Sequence, residues 1–416
     1  MIEGRQIVCI ASSWDYDPTS KHQIMRILSR RNQILWVNYH GSRRPTARPA
    51  DLKDGCAALR RVACGLRRVS PSIVQLTPLV IPGARTALLE RLHQYLLIAQ
   101  LRRAVRTVDR EARRPVQVWS FAPDVPYLVG ALNEECFLYY CVDEYTQFEG
   151  FDSRRVAAAE AELINRAGIV VATSEPLRQT KSALRPDITL VRHGVDYDHF
   201  ARAWQVPLAP PNDLALSPRP VFGFFGLIQH WIDRALLAEV ARLRPSYSFV
   251  LIGDCKAEAS ELKRRDNVFM LGRRAYEDLP AYCAGFEAGL LPFVRNAMTR
   301  NINPVKLSEY LAAGLPVVST PLPEANRFGG PVLVADTAEQ FAEACDRVLT
   351  TPELADREAI SRLVRHQTWA SRVELLSEIV SSRSGQPLRA ASKARRDIAR
   401  PTSDEPEAAA ATCSFS

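Results

Sequence analysis

Short apolar runs alternate with amphipathic stretches along this chain, in two series separated by a proline-rich segment. That rhythm constrains the architecture more than any single motif. Residues 7–10 predict a strand, 21–30 a helix and 34–39 a second strand, a start that favours an α/β domain. The first series continues with a weaker strand at 73–76, an amphipathic helix at 85–106, and strands at 116–121, 137–142, 169–173 and 189–192. Helices at 157–167 and 175–182 fall between the later strands. The stretch 207–220 is rich in proline and lacks periodicity, which makes it the best inter-domain linker. A second series follows, with strands at 221–225, 248–252, 268–270, 288–291 and 316–319 and helices at 234–242, 338–349 and 369–380. Two such halves facing each other make a cleft, the expected place for a ligand.

At 416 residues the chain is too long for one ordinary core, and 47% hydrophobic content suffices for two. The net charge of +8 is local in origin: residues 43–114 hold 16 Lys or Arg against 5 Asp or Glu. Such a field suits lipid headgroups, a phosphorylated acceptor or nucleic acid, or simply an arginine-rich solvated surface. The first residues lack the basic-then-apolar form of a secretory signal, and no run approaches the length of a spanning helix. Nine scattered cysteines without metal-ligand spacing suit reduced thiols in a cytosolic protein. After Ser381 the pattern fails, and the tail is expected to be disordered. There is no internal sequence repeat.

The densest signal is the stretch 301–320. Asn303 is placed to cap a helix, Pro304 to occupy its first position and Gly314 to end it, ahead of a buried strand. Lys306 and Glu309, three apart, share one face near the helix's positive end. A cation and a carboxylate so placed suit an anionic, hydroxyl-bearing ligand such as a nucleotide sugar. The alternative for Glu309 is an exposed helix position, and for Lys306 a surface ion pair. Arg295 and Arg300 in the preceding loop are further candidate phosphate clamps.

Other candidates follow predicted strands. Gly226 permits a tight turn whose amides suit a diphosphate, although the glycine spacing is not that of a dinucleotide fingerprint. In the first half, His22 suits a sugar contact or proton transfer, or a local cap. Asp143 or Glu144 suits an acid or base, or a loop cap. His193 and Asp196 read as structural, since neither a zinc motif nor a triad surrounds them.

With these residues in hand, the chain resembles the GT-B type retaining glycosyltransferases, the group known as glycosyl transferases group 1, over most of residues 5–383. The likeness is carried by the segment 193–200, the turn at Gly226, Gly272 before Tyr276, and the stretch 304–320. The segments 14–23 and 369–373 look like a subgroup making bacterial surface or exopolysaccharide sugars. The resemblance implies a GT-B fold of two Rossmann-like domains facing a central cleft. It implies an acceptor-binding domain at 1–206, a linker at 207–220, a nucleotide-sugar domain at 221–365 and a helix at 366–383 crossing back, before the tail at 384–416.

By the same resemblance Glu309 matches the later glutamate of a paired motif and contacts the donor ribose, while the earlier glutamate falls at Asn301. An amide there can bond a sugar hydroxyl but supplies no charge. The basic pair expected after Gly226 is also missing, its region holding Gln229, His230 and Asp233. Lys306, Arg295 or Arg300 must then neutralise phosphate. The implied catalytic set is His22, Asp143 and Asn301, and the donor set is Gly226, Gln229, Arg295, Arg300, Lys306 and Glu309.

The implied reaction moves a sugar from a nucleotide diphosphate sugar to a glycan, lipid-linked or small-molecule hydroxyl, with retention and without a metal or other cofactor. A nucleotide-sugar epimerase and a catalytically impaired donor-binding or scaffolding protein are the alternatives. The expected location is cytoplasmic, with peripheral contact to anionic membrane on its inner face. Nucleic acid is not an expected partner, because no recognition module or aromatic ladder accompanies the arginines.

Overall fold

A computed structural model of the protein describes residues 1–16, 18–39, 65–81, 86–110, 113–148 and 150–383. Part of the arginine-rich stretch 43–114 and the whole tail 384–416 lie outside the described residues.

The first domain is an eight-stranded sheet in the order β3-β4-β2-β1-β5-β6-β7-β8. Its strands are β1 (Gln6–Ala11), β2 (Gln33–Asn38), β3 (Leu66–Ser70), β4 (Ile73–Leu76), β5 (Val116–Ser120), β6 (Cys136–Cys141), β7 (Ile169–Ala172) and β8 (Thr189–Leu190). All neighbours are parallel except β3 and β4. β1 is buried along its whole length, with Val8 and Ile10 in one core and Ile7, Cys9 and Ala11 in another. Alternate side chains thus fill both faces, as a parallel strand covered by helices requires.

The second domain is a six-stranded parallel sheet in the order β11-β10-β9-β12-β13-β14. It comprises β9 (Val221–Phe225), β10 (Ser248–Ile252), β11 (Val268–Gly272), β12 (Ala288–Leu291), β13 (Val317–Ser319) and β14 (Val332–Val334). Its core runs in sequence from Val195 to Val364. The helix Tyr197–Gln205 therefore packs on the second domain, and Leu214, within the expected linker, is buried in the same core. The helix Trp369–Arg383 returns: Trp369, Val373, Leu376 and Val380 join the first domain's core.

Each sheet has a switch point where successive strands are laid down on opposite sides, between β1 and β5 in the first and between β9 and β12 in the second. Loops leaving the carboxyl ends of strands at such points diverge and leave a crevice.

Candidate active site

A cleft of about 630 Å³ opens between the two domains. On the second-domain wall it is lined by the turns after β9, β10 and β11 and by the helix Val305–Ala312. On the first-domain wall it is lined by the start of the helix Ser20–Leu28 and by the loop after β6.

Close approach of backbone shapes the second wall. Gly226 has φ +132°, and a Cβ there would lie 2.0 Å from Lys306 Cε. Gly253 has φ +139°, and a Cβ there would meet the Gly226 carbonyl oxygen at 2.1 Å. Only glycine fits either position. The turn is tied further, because Gly226 N donates to the Ile252 carbonyl at 2.7 Å and Ile228 N to that of Asp254 at 2.9 Å. Phe225 N donates to the hydroxyl of the buried Tyr310 at 3.0 Å, fixing the end of β9 against the Val305–Ala312 helix.

That helix begins one residue later than the sequence suggests. Pro304 is its N-cap, and Asn303 does not cap it: Asn303 Nδ2 donates instead to the Thr173 carbonyl of the first domain at 2.8 Å. Gly314 ends the element with φ +70°, as expected. Lys306 and Glu309 both line the cleft, half-buried, and neither side chain forms an ion pair or hydrogen bond with a described residue. Burial pushes the Glu309 carboxyl up to about 7, Lys306 pulls it back and Asp196 adds to the rise. Burial lowers Lys306, with Glu309 opposing. The lysine ammonium lies 5.9 Å from the centroid of Phe224.

Of the first-half candidates, Asp143 lines the cleft and burial raises its carboxyl to about 7, with Lys21 opposing. His22 does not line it. It is 1% exposed, its Nδ1 accepts from Thr19 N at 3.1 Å in a capping box, and its ring packs on Trp14 and Trp36. The ring is engaged in the cap, the second of the two roles its position allowed. Asn301 is likewise outside the cleft lining. Its Nδ2 donates to the Ala297 carbonyl at 2.7 Å, and its own carbonyl accepts from Ser174 Oγ at 2.5 Å.

Arg295 is exposed and paired with Asp336, and Arg300 is exposed at the end of the short helix Ala297–Arg300. Neither lines the cleft, nor does Gln229, whose carbonyl accepts from Arg234 Nη1 at 3.1 Å. Asp233 caps the helix Arg234–Leu243 by accepting from Leu236 N at 2.9 Å. The cation beside the Gly226 turn is Lys306, brought there by folding from a distant part of the chain.

Among the described residues no group of three or more His, Cys, Asp or Glu could hold a metal ion. No helix of the described residues is long and apolar enough to cross a membrane.

The family model described as glycosyl transferases group 1 matches residues 219–351, a span that contains the Gly226 turn, Lys306 and Glu309. Over 275 residues the chain is 26% identical to TuaH of Bacillus subtilis, a glycosyltransferase assigned to teichuronic acid biosynthesis; the match covers 61% of this chain and 68% of that protein. The fold is shared with solved structures. Sucrose-phosphate synthase from Thermosynechococcus elongatus superposes with a TM-score of 0.64 at 13% identity, covering 91% of this chain and 98% of the other. An α,α-trehalose-phosphate synthase (UDP-forming) from Burkholderia vietnamiensis gives 0.61 at 15%, covering 91% and 97%.

The chain has the GT-B fold, and its second domain matches the glycosyl transferases group 1.

Several groups at the cleft escaped the sequence reading. Lys21, next to His22, lines the first-domain wall, and Arg273 and Tyr276 line the second. Tyr276 stacks on His199, with ring centroids 4.6 Å apart and planes 10° apart, and its carbonyl accepts from His199 Nε2 at 3.0 Å. Gly272 before Tyr276 was the available signal for that loop; nothing in the sequence singled out Lys21.

Proposed function

We propose that the chain moves a sugar from a nucleotide diphosphate sugar to an acceptor, with the donor on the second-domain wall of the cleft and the acceptor on the first-domain wall. In this reading Glu309 accepts hydrogen bonds from the ribose hydroxyls, while Lys306 and the amides of the Gly226 turn meet the diphosphate. The observation that carries it is the contact of Lys306 with Gly226: a cation, a helix amino end and a strand-end turn without side chain converge on one point of the cleft. The acceptor hydroxyl attacks the anomeric carbon from the face of the departing phosphate. The bond from that carbon to phosphate breaks, the new glycosidic bond forms, and the hydroxyl proton passes to a phosphate oxygen. Configuration is retained, and no carboxylate pair of the hydrolase type is needed.

Panels of nucleotide sugars with glycan and lipid-linked acceptors test this reading, with donor binding followed by calorimetry. Glu309→Ala is expected to weaken donor binding about 10- to 100-fold, the effect of losing hydrogen bonds to a charged group. Unchanged donor affinity in that variant would remove the ribose role.

We further propose a polysaccharide or lipid-linked glycan as acceptor and work at the inner face of the membrane. The helix Ala87–Val108 supports this. Leu88, Leu92 and Tyr95 recur along one stripe and are 77%, 45% and 71% exposed, whereas Leu97, Leu101 and Ala104 dock the second half of the helix. Exposed Arg91, Arg102, Arg103 and Arg106 accompany the stripe, a combination suited to an anionic interface.

A further inference from the structure

Lys21 and Asp143 stand on the first-domain wall without being engaged. Lys21 is in the first turn of the Ser20–Leu28 helix, and Asp143 is two residues beyond β6. Both line the cleft, and neither side chain makes a hydrogen bond or ion pair with a described residue. Each nevertheless feels the other's charge, and burial disfavours the charged form of both. An ammonium and a carboxyl held partly out of water, near but not bonded to each other, are costly unless a ligand completes them. The opposite wall repeats the arrangement with Lys306 and Glu309. One such pair serves the donor in the reading above, which leaves the other for the second substrate.

We propose that Lys21 and Asp143 form the acceptor subsite, and that the acceptor carries a carboxylate or phosphate beside the hydroxyl that is glycosylated. This rests on the donor lying against the second domain. Asp143 accepts the hydrogen bond of a sugar hydroxyl, and Lys21 pairs with the acceptor's oxyanion. A neutral sugar would satisfy Asp143 and leave the ammonium uncompensated. The excess of 16 basic over 5 acidic residues in the stretch 43–114 of the same domain attracts an anionic substrate as well.

The full chain is titrated with methyl glucoside, methyl glucuronide and glucose 6-phosphate, alone and with whichever of UDP, GDP or ADP binds. At least one anionic sugar is expected to bind about tenfold or more tightly than methyl glucoside, and the two anionic probes separate a carboxylate from a phosphate preference. Lys21→Gln should lower anionic binding about 10- to 100-fold while leaving methyl glucoside and nucleotide binding unchanged. Lys21→Arg, which keeps the charge, should retain the preference, and Asp143→Asn should weaken all three sugars. Equal affinity for neutral and anionic sugars, or no binding of any, overturns the proposal. So does a Lys21→Gln variant that loses nucleotide and keeps the anionic preference, because Lys21 then serves the donor diphosphate. Failure of the donor reading appears separately, as absence of nucleotide binding in the unaltered chain.

Discussion

Glu309 and Lys306 carry their charges against burial, and each is the main support of the other. With the Glu309 carboxyl raised to about 7, its acceptor-only form is complete only above neutrality. Donor affinity is therefore expected to fall about tenfold between pH 8 and pH 6, as the carboxylate takes a proton. Glu309→Gln should flatten this limb. On the alkaline side Lys306, lowered by burial, releases its proton earlier than a free lysine, so affinity declines again. Lys306→Arg should push that decline to higher pH, since a guanidinium stays charged. Calorimetric titrations across pH read both limbs, and a flat acid limb in the unaltered chain would remove Glu309 from the donor site. Stability follows the same linkage. A carboxyl raised in the folded state binds more protons than in the unfolded chain, so stability falls as pH rises from its ordinary range toward 7, and Glu309→Gln removes that slope. Residue identity was legible where chemistry forced it: Gly226, Lys306, Glu309 and Asp143 were all singled out and all lie at the cleft. Lys21 was overlooked in favour of His22 because successive helix residues point about 100° apart, so one faces the cleft and its neighbour the core.

At the scale of elements, buried strands and amphipathic helices announced themselves, and β4, β9, β10 and β12 have the bounds their apolar runs predict. β3 did not, because Leu66–Ser70 is an arginine-bearing antiparallel edge strand paired on one side only, with Arg67 and Arg68 exposed. The helix Tyr197–Gln205 was not predicted, although Phe200 and Ala201 are buried in the second core. Contacts between elements remote in sequence carry no local signal at all. The buried Glu324 is the case with most consequence: it accepts from Glu175 N at 2.9 Å, Arg192 Nε at 2.7 Å and Arg327 Nη1 at 3.0 Å. With Asn303 to Thr173 and Ser174 to Asn301, it fastens the two domains along one edge of the cleft. Glu324→Ala is expected to cost about 1–3 kcal/mol, since it strands donors made for a charged acceptor. Calorimetry should then resolve a separate, earlier domain transition. A single unshifted transition would mean that the last helix alone joins the domains.

For the molecule as a whole, the exposed stripe of the Ala87–Val108 helix has no covering partner among the described residues, while the cleft lies at the carboxyl ends of the strands. Three large apolar side chains left in water oppose solubility and gain free energy at a lipid interface, roughly 1.5–3 kcal/mol for each that is fully buried. Arginines alone would give binding that salt abolishes, and the apolar stripe alone would give binding indifferent to lipid charge. Both together predict a particular pattern. The protein should float with liposomes containing anionic lipid at low salt, detach partly as salt rises, and bind neutral liposomes weakly. Leu88→Asp with Leu92→Asp should remove the salt-resistant fraction of flotation without lowering activity on a soluble acceptor, because the stripe is apart from the cleft lining. Arg102→Glu with Arg103→Glu should leave the salt-resistant fraction and remove the rest. Failure of the unaltered chain to bind anionic liposomes even at low salt would assign the stripe another role and make the acceptor's delivery a matter of diffusion.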